Sequence, residues 1–150
     1  MPLKPEYAQY ATVIEKFRPL ADEKKKIALA WLANLIAVRF EFTSEDCVMK
    51  TISHLSGGES STQLQKCMAR LSGNLMEEFE ELFDEDEDAM DEAVDAGHPL
   101  WRRAQAMEAL FSLIAPASLE PYGEPTILHA RLALGDEWPT VADELLEKMS

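Results

Sequence analysis

The chain has 150 residues, and its 14 lysines and arginines stand against 28 aspartates and glutamates, for a formal net charge of −14. Apolar residues make up 47% of it, a share usual for globular proteins, which excludes wholesale disorder. A chain of this length should bury roughly two thirds of the surface that its unfolded form exposes. We therefore expect one acidic folded domain over residues 1–150.

Charge and hydropathy limit the partners that the chain can have. The longest apolar run, from Ile27 to Val38, is shorter than the roughly 18 to 20 residues that a membrane span needs. The acidic charge argues against nucleic acid and anionic lipid as direct partners, because like charges repel within a Debye length of about 8 to 10 Å. A partner selected by charge is therefore basic, and the sequence indicates neither membrane contact nor an oligomeric state.

The N-terminal residues and the cysteines bear on the compartment. The first residues lack the basic-then-apolar pattern of a signal peptide. The two cysteines, Cys47 and Cys67, are too few for a disulfide framework, and we expect them to be small buried apolar side chains. Together these features predict a cytoplasmic protein.

Helix-period apolar stripes predict an all-α fold, a compact bundle of about six to seven helices. A first helix over about residues 5–18 has one apolar face and ends at Pro19. The next, over about residues 22–42, is apolar nearly all round. Such a helix is expected at the centre of a bundle. It carries two stripes, Ile27, Trp31, Leu35, Val38 and Phe42 on one side and Leu29, Leu32, Ile36 and Phe40 on the other.

Capping signals predict where the middle helices begin. Thr43 with Asp46 opens a short helix, and Ser60 with Gln63 opens the longest one, which carries apolar residues as far as Phe83. Residues 84–88 should break that helix, with Asp88 capping a short helix that follows.

The last third of the chain is predicted to be helical, with one ambiguous segment. His98-Pro99 and Pro139 are typical of helix starts. Residues 127–134 also alternate like a strand, so a short hairpin is the alternative there, although the alanine and leucine content favours helix.

The sequence shows no catalytic constellation, so we predict no enzyme and no cofactor. The three histidines lie in three separate segments without a nucleophile signature. A zinc site from Cys47, His54, Cys67 and His98 lacks the close ligand pair that such sites usually have.

A calcium loop is equally poorly supported. Asp84, Asp86, Asp88, Glu92 and Asp95 have its spacing, but Ala89 stands where the loop needs positive φ and Asp91 where it is usually apolar. We therefore predict no specific metal site.

The acidic excess is concentrated in the second half of the chain. Residues 71–150 hold four basic and twenty acidic groups, for −16, against +2 for residues 1–70. Twelve acids lie within residues 77–95, uninterrupted by any basic residue, and we call this stretch the acidic segment. Its acids are the candidate partner-binding residues: Glu77, Glu78, Glu80, Glu81, Asp84, Glu85, Asp86, Glu87, Asp88, Asp91, Glu92 and Asp95.

The charge density of this segment can be compared with that of DNA. If it were largely helical it would be about 28 Å long and carry one charge per roughly 2.4 Å, against one per roughly 1.7 Å of duplex axis. Its seven like-charge i,i+4 pairs would cost roughly 1.5 to 3 kcal/mol. Self-repulsion of this size suggests that the acids serve a partner, although acidic runs are also commonly solvated faces that aid solubility.

Two functions are compatible with these features. The first is a non-enzymatic inhibitor, immunity or anti-restriction/anti-CRISPR type protein, a nucleic-acid mimic that occupies the basic, nucleic-acid-binding surface of a partner protein. The alternative is a helical adaptor, chaperone-like or oligomeric scaffold protein that binds through an apolar face, with the acids serving only solubility. Trp101, Tyr122, Trp138 and the seven methionines are the candidates for that face.

Overall fold

The computed structural model describes residues 7, 9–57, 61–114 and 122–150. Across these residues the fold is an all-helical bundle with no strand, as the periodicity predicts, and no helix in them is long and apolar enough to cross a membrane. A 3-10 turn, Gly135–Glu137, joins the last two helices. The helices are α1 (Tyr10–Phe17), α2 (Asp22–Arg39), α3 (Asp46–His54), α4 (Thr62–Glu81), α5 (Glu87–Asp95), α6 (Pro99–Phe111), α7 (Glu124–Leu134) and α8 (Trp138–Lys148).

Helix α6 lies between α4 and α7 and packs against them more extensively than any other helices pack in the described part of the chain. Its inward alanines, Ala104, Ala106 and Ala109, are at most 1% exposed. Small side chains allow neighbouring helix backbones to approach closely, so α6 can be covered on two sides. The buried Thr126 hydroxyl of α7 donates to the Ala109 carbonyl of α6 at 3.0 Å, which fixes this packing.

Helix α2 supplies one face to the core rather than two. The side that includes Leu29, Leu32 and Ile36 is buried, whereas Ile27 and Val38 are 63% and 69% exposed. The expectation that this helix is covered all round is therefore wrong for the stripe that contains Ile27 and Val38. The reason is tertiary, because α3, α6, α7 and α8 all pack on the buried face.

The observed helix starts differ by one or two residues from the predicted ones. The Ser61 hydroxyl accepts from the Leu64 amide at 3.1 Å and caps α4, while the predicted cap, Ser60, lies outside the described residues. Asp86, not Asp88, caps α5. Glu45 precedes α3 without a side-chain cap, so the signal at Thr43 was misleading.

Two predictions for the second half of the chain are confirmed. His98 caps α6, its Nδ1 accepting from the Leu100 amide at 3.1 Å, and Pro99 stands in the first turn. Residues 127–134 lie within α7, so the hairpin alternative does not apply.

An ion pair joins the end of α1 to the start of α7. The Arg18 guanidinium donates to both oxygens of the nearly buried Glu124 carboxylate at 2.8 to 3.1 Å. These hydrogen bonds raise the pKa of Arg18. The pair holds α7 against the outer helix α1, which encloses the core with Val13, Ile14 and Phe17.

The two cysteines form a disulfide that joins α3 to α4, with their Cα atoms 6.3 Å apart. Both residues are half-buried, so the expectation of two unlinked apolar side chains is wrong. They meet because α3 packs against α4, and a lone pair of cysteines 20 residues apart gives no sign of that contact. The bond also removes both thiolates from the zinc site considered above.

We expect the disulfide to stabilise the folded chain by about 3 kcal/mol, because it closes a loop of about 20 residues in the unfolded state. Urea unfolding with and without a reductant measures this difference. The variant with Cys47→Ser and Cys67→Ser should show the lower stability in both conditions. Equal unfolding midpoints for oxidised and reduced protein would contradict the expectation.

Candidate functional site

The acidic segment folds into two helices joined by a turn. Helix α4 ends at Glu81, Asp84 adopts a left-handed conformation with φ of 43°, and α5 begins at Glu87. Aspartate tolerates this conformation better than most residues. The straight rod of about 28 Å is therefore not formed, and the charges bend around the turn.

The break divides the like-charge pairs of the segment into two groups. Four i,i+4 pairs lie inside a helix, at a cost of about 1 to 2 kcal/mol, and three span the turn. The four inside a helix are Glu77/Glu81, Glu87/Asp91, Asp88/Glu92 and Asp91/Asp95.

An aromatic cluster fixes the turn to the bundle. Phe79 is 1% exposed, and its ring centroid lies 5.1 Å from that of Phe83 and 5.6 Å from that of His98. Phe83 and His98 are in turn 6.0 Å apart. The cluster links the end of α4 to the start of α6, so the acids stand on an ordered surface.

The other apolar residues of the segment are less buried than their spacing suggests. Met90 and Val94 are half-buried, and Leu82, expected inside, is 56% exposed. Leu82 lies beyond the last residue of α4, where the helical period that predicts its burial no longer applies.

A cleft of about 400 Å³ opens between the end of α4 and the start of α5. Phe83 and Met90 supply its apolar surface. Neither was predicted as a site residue, because the spacing of apolar residues in an acidic run predicts burial in the core. Seven of the twelve candidate acids line the cleft: Glu77, Glu80, Glu81, Asp84, Glu85, Asp86 and Glu87. The other five, Glu78, Asp88, Asp91, Glu92 and Asp95, do not line it.

All twelve acids are exposed to solvent. For the eleven from Glu77 to Glu92, the described part of the chain places no lysine, arginine or histidine within salt-bridge distance. Only Asp86 has an assigned local role, accepting from the Ala89 amide at 3.1 Å. The cleft can therefore take a cation, and its apolar surface suits one carried on an aliphatic stem, such as arginine or lysine.

Metal binding receives no support from the geometry of the segment. Residues 87–95 are helical, whereas a calcium loop needs several turns of the backbone around the ion. No group of three or more histidine, cysteine, aspartate or glutamate side chains in the described ranges is placed to hold a metal.

The aromatic and methionine residues of the alternative apolar face are dispersed. Trp138 is completely buried and Trp101 half-buried, while Met68, Met107 and Met149 belong to the core. Tyr122 is 45% exposed, and partial burial raises the pKa of its hydroxyl. These residues do not form one surface, and the exposed apolar stripe lies on α2 instead.

Comparisons do not place the chain in a family. No protein-family model, no curated protein and no solved structure matches it.

The cap at Asp86 should determine whether the second wall of the cleft is ordered. Asp86→Ala removes both the cap and a charge and should destabilise α5 by about 1 kcal/mol, whereas Asp86→Asn keeps the cap. Amide hydrogen exchange across residues 89–95 should accelerate in the alanine variant and stay near wild type in the asparagine variant. Unchanged exchange in both would show that packing alone holds α5.

Proposed function

We propose that this chain is a non-enzymatic binding protein whose acidic segment occupies the basic, nucleic-acid-binding surface of a partner protein. The observation that carries the proposal is the set of eleven exposed carboxylates without a basic partner in the described residues, seven of which line one cleft. No basic residue in the described ranges neutralises this surface, which is complementary to a surface rich in arginine and lysine.

Order in the segment favours binding. Phe79 and its ring contacts hold the end of α4, and Asp86 caps α5. Less conformational entropy is lost when a preorganised surface docks than when a floppy acidic tail does. The repulsion retained among the acids also decreases when cations of a partner come between them.

The cleft defines the contact that we expect at the centre of the interface. A guanidinium can donate to two carboxylates at once, and its aliphatic stem can pack on Met90 while its cationic head faces the ring of Phe83. Helix α5 places Asp88, Asp91 and Glu92 outside the cleft, where they can meet further basic residues. A DNA or RNA backbone presents a comparable row of negative charge to the same partner.

The function class is drawn from size and charge alone. Small acidic inhibitors, immunity proteins and anti-restriction or anti-CRISPR proteins share these two properties. Cytoplasmic location stays a prediction of the sequence. Disulfides are rare in reducing compartments, so trapping an intact Cys47–Cys67 bond in cell extracts would contradict it.

Charge-matched variants test the proposal. Glu80, Glu81 and Glu87 are changed to glutamine in one variant; in the control, Asp143, Glu144 and Glu147, exposed on α8, are changed to their amides. Each variant loses three negative charges. We expect wild type and control to retain a basic nucleic-acid-binding protein from nuclease-treated lysate. The variant with the three glutamines, the cleft variant, should bind that protein with an affinity about tenfold or more lower.

Salt dependence and competition by nucleic acid distinguish nucleic-acid mimicry from non-specific binding. The retained protein should be released as salt rises, because screening weakens surface charge pairs, and its own nucleic acid should compete for it. Equal retention by cleft variant and control, with matching circular dichroism, would refute the proposal. So would simultaneous binding of the chain and the nucleic acid to the partner.

One observation favours the adaptor alternative in a revised form. Ile27 and Val38 are the two most exposed large apolar residues among those described, and the half-buried Trp31 and Leu35 lie between them on α2. Exposed apolar patches commonly mark interaction surfaces. In this case the acids keep the protein soluble and α2 makes the contact.

Apolar-to-polar changes on α2 test that alternative. Ile27→Ser with Val38→Ser should leave the fold intact, because both side chains are already largely in solvent, and should abolish partner retention that resists high salt. If this variant still retains the partner protein and the cleft variant does not, the adaptor hypothesis is excluded.

A further inference from the structure

A second cleft, of about 310 Å³, lies where the end of α2 meets the start of α6, and it is cationic. Arg39, Arg102 and Arg103 line it, with Glu41 as the only acid among its lining residues, for a net charge of 3 − 1 = +2. Only four of the chain's 14 basic residues lie beyond residue 70, and two of them are here. This local charge opposes the chain's overall −14.

Arg102 is held in place by glycines and keeps unsatisfied donor capacity. Its Nε is buried, and no acceptor in the described part of the chain lies within hydrogen-bond distance of it. Gly97, with φ of 70°, and Gly135, with φ of 54°, lie against the guanidinium, so that a Cβ at either would stand 2.5 Å from Nη2. A buried charged donor left without a partner is costly, and the guanidinium that carries it lines the cleft, where an anion can accept from its other donors.

Arg103 and Arg39 are placed differently around the same cleft. Arg103 Nη1 donates to the Phe40 carbonyl at 2.6 Å, and its guanidinium lies 4.5 Å from the centre of the Phe42 ring. A guanidinium has five N–H donors, so this contact orients Arg103 and leaves further donors for a bound anion. Arg39 is paired with Glu137 at the surface and is half exposed, so it can turn toward a bound anion.

The start of α6 adds to the positive potential. No acid stands in its first turn, and Arg102 and Arg103 follow directly, although cations are unfavourable near the positive end of a helix dipole. An anion in the cleft would be stabilised by the dipole and by the arginines together. The 13-residue helix α6 is long enough for this effect.

We infer that the cleft of Arg39, Arg102 and Arg103 is a binding site for a small phosphate dianion, free or as a phosphomonoester. Arg102 and Arg103, which have no carboxylate partner among the described residues, match a dianion better than a single carboxylate, Arg39 adds a third guanidinium, and arginine forks fit phosphate oxygens. Phe40 and Pro99 at the cleft wall offer apolar surface to the organic part of an ester. The inference is independent of the acidic segment and its partner.

Amide chemical shifts of the full chain during titration with sodium phosphate at pH 7.5 test the site. We expect saturable shifts at residues 39–41 and 97–103, absent in sodium chloride of equal ionic strength. Glycerol phosphate in place of inorganic phosphate distinguishes the two sources, since tighter binding of the ester shows that its organic part contributes. Sodium acetate tests whether a carboxylate serves equally well.

Single arginine variants identify the ligands. Arg102→Gln should weaken phosphate binding by about tenfold or more, the effect of losing charge-assisted hydrogen bonds. Arg39→Gln changes a half-exposed residue and supplies the same test if Arg102→Gln fails to fold. Arg70→Gln, on the exposed part of α4 and outside the cleft, is the control and should bind as wild type does.

Three results would overturn the inference. One is a linear shift equal to that in chloride, which would mean ionic strength alone. Another is binding that is unchanged in both Arg102→Gln and Arg39→Gln, which would place the phosphate elsewhere. The third is acetate binding as tightly as phosphate, which would remove the case for a dianion.

Discussion

The burial of α6 between α4 and α7 is the constraint on which both charged surfaces depend. Alanines at its inward positions, each at most 1% exposed, let its neighbours pack closely on two sides. The position of α4 determines where the acidic segment emerges. The first turns of α6 carry His98 into the aromatic cluster with Phe79 and place Arg102 in the cationic cleft. Displacing α6 would therefore disturb both surfaces together.

The acidic segment combines packing with a concentration of negative charge. Phe79 is buried at the end of a helix whose other side carries exposed carboxylates. The turn at Asp84 ends the regular helical spacing of the acids and bends the segment. The same turn creates the cleft, so it concentrates negative potential in one concave place, where field lines are focused.

The two clefts have opposite charge yet adjoin one short stretch of chain. Helix α5 ends at Asp95, Gly97 lies against Arg102, and His98 begins α6. A protein partner bound through the acids and a small anion bound by the arginines would therefore act on neighbouring residues. The disulfide between α3 and α4 restrains the opposite, near-neutral end of α4.

Sequence by itself determined the helical class, the rough extent of the helices, the break within the acidic segment and the exposure of the twelve acids, because periodicity and charge are local properties. It failed for Leu82, for the outer face of α2 and for the caps at Ser61 and Asp86, since each depends on where a helix ends or what packs beside it. Only the tertiary structure joined Cys47 to Cys67, placed Phe83 and Met90 in one cleft with the acids, and gathered Arg39 with Arg102 and Arg103. Those contacts depend on how the helices pack against one another, and a single sequence carries no local signal of them.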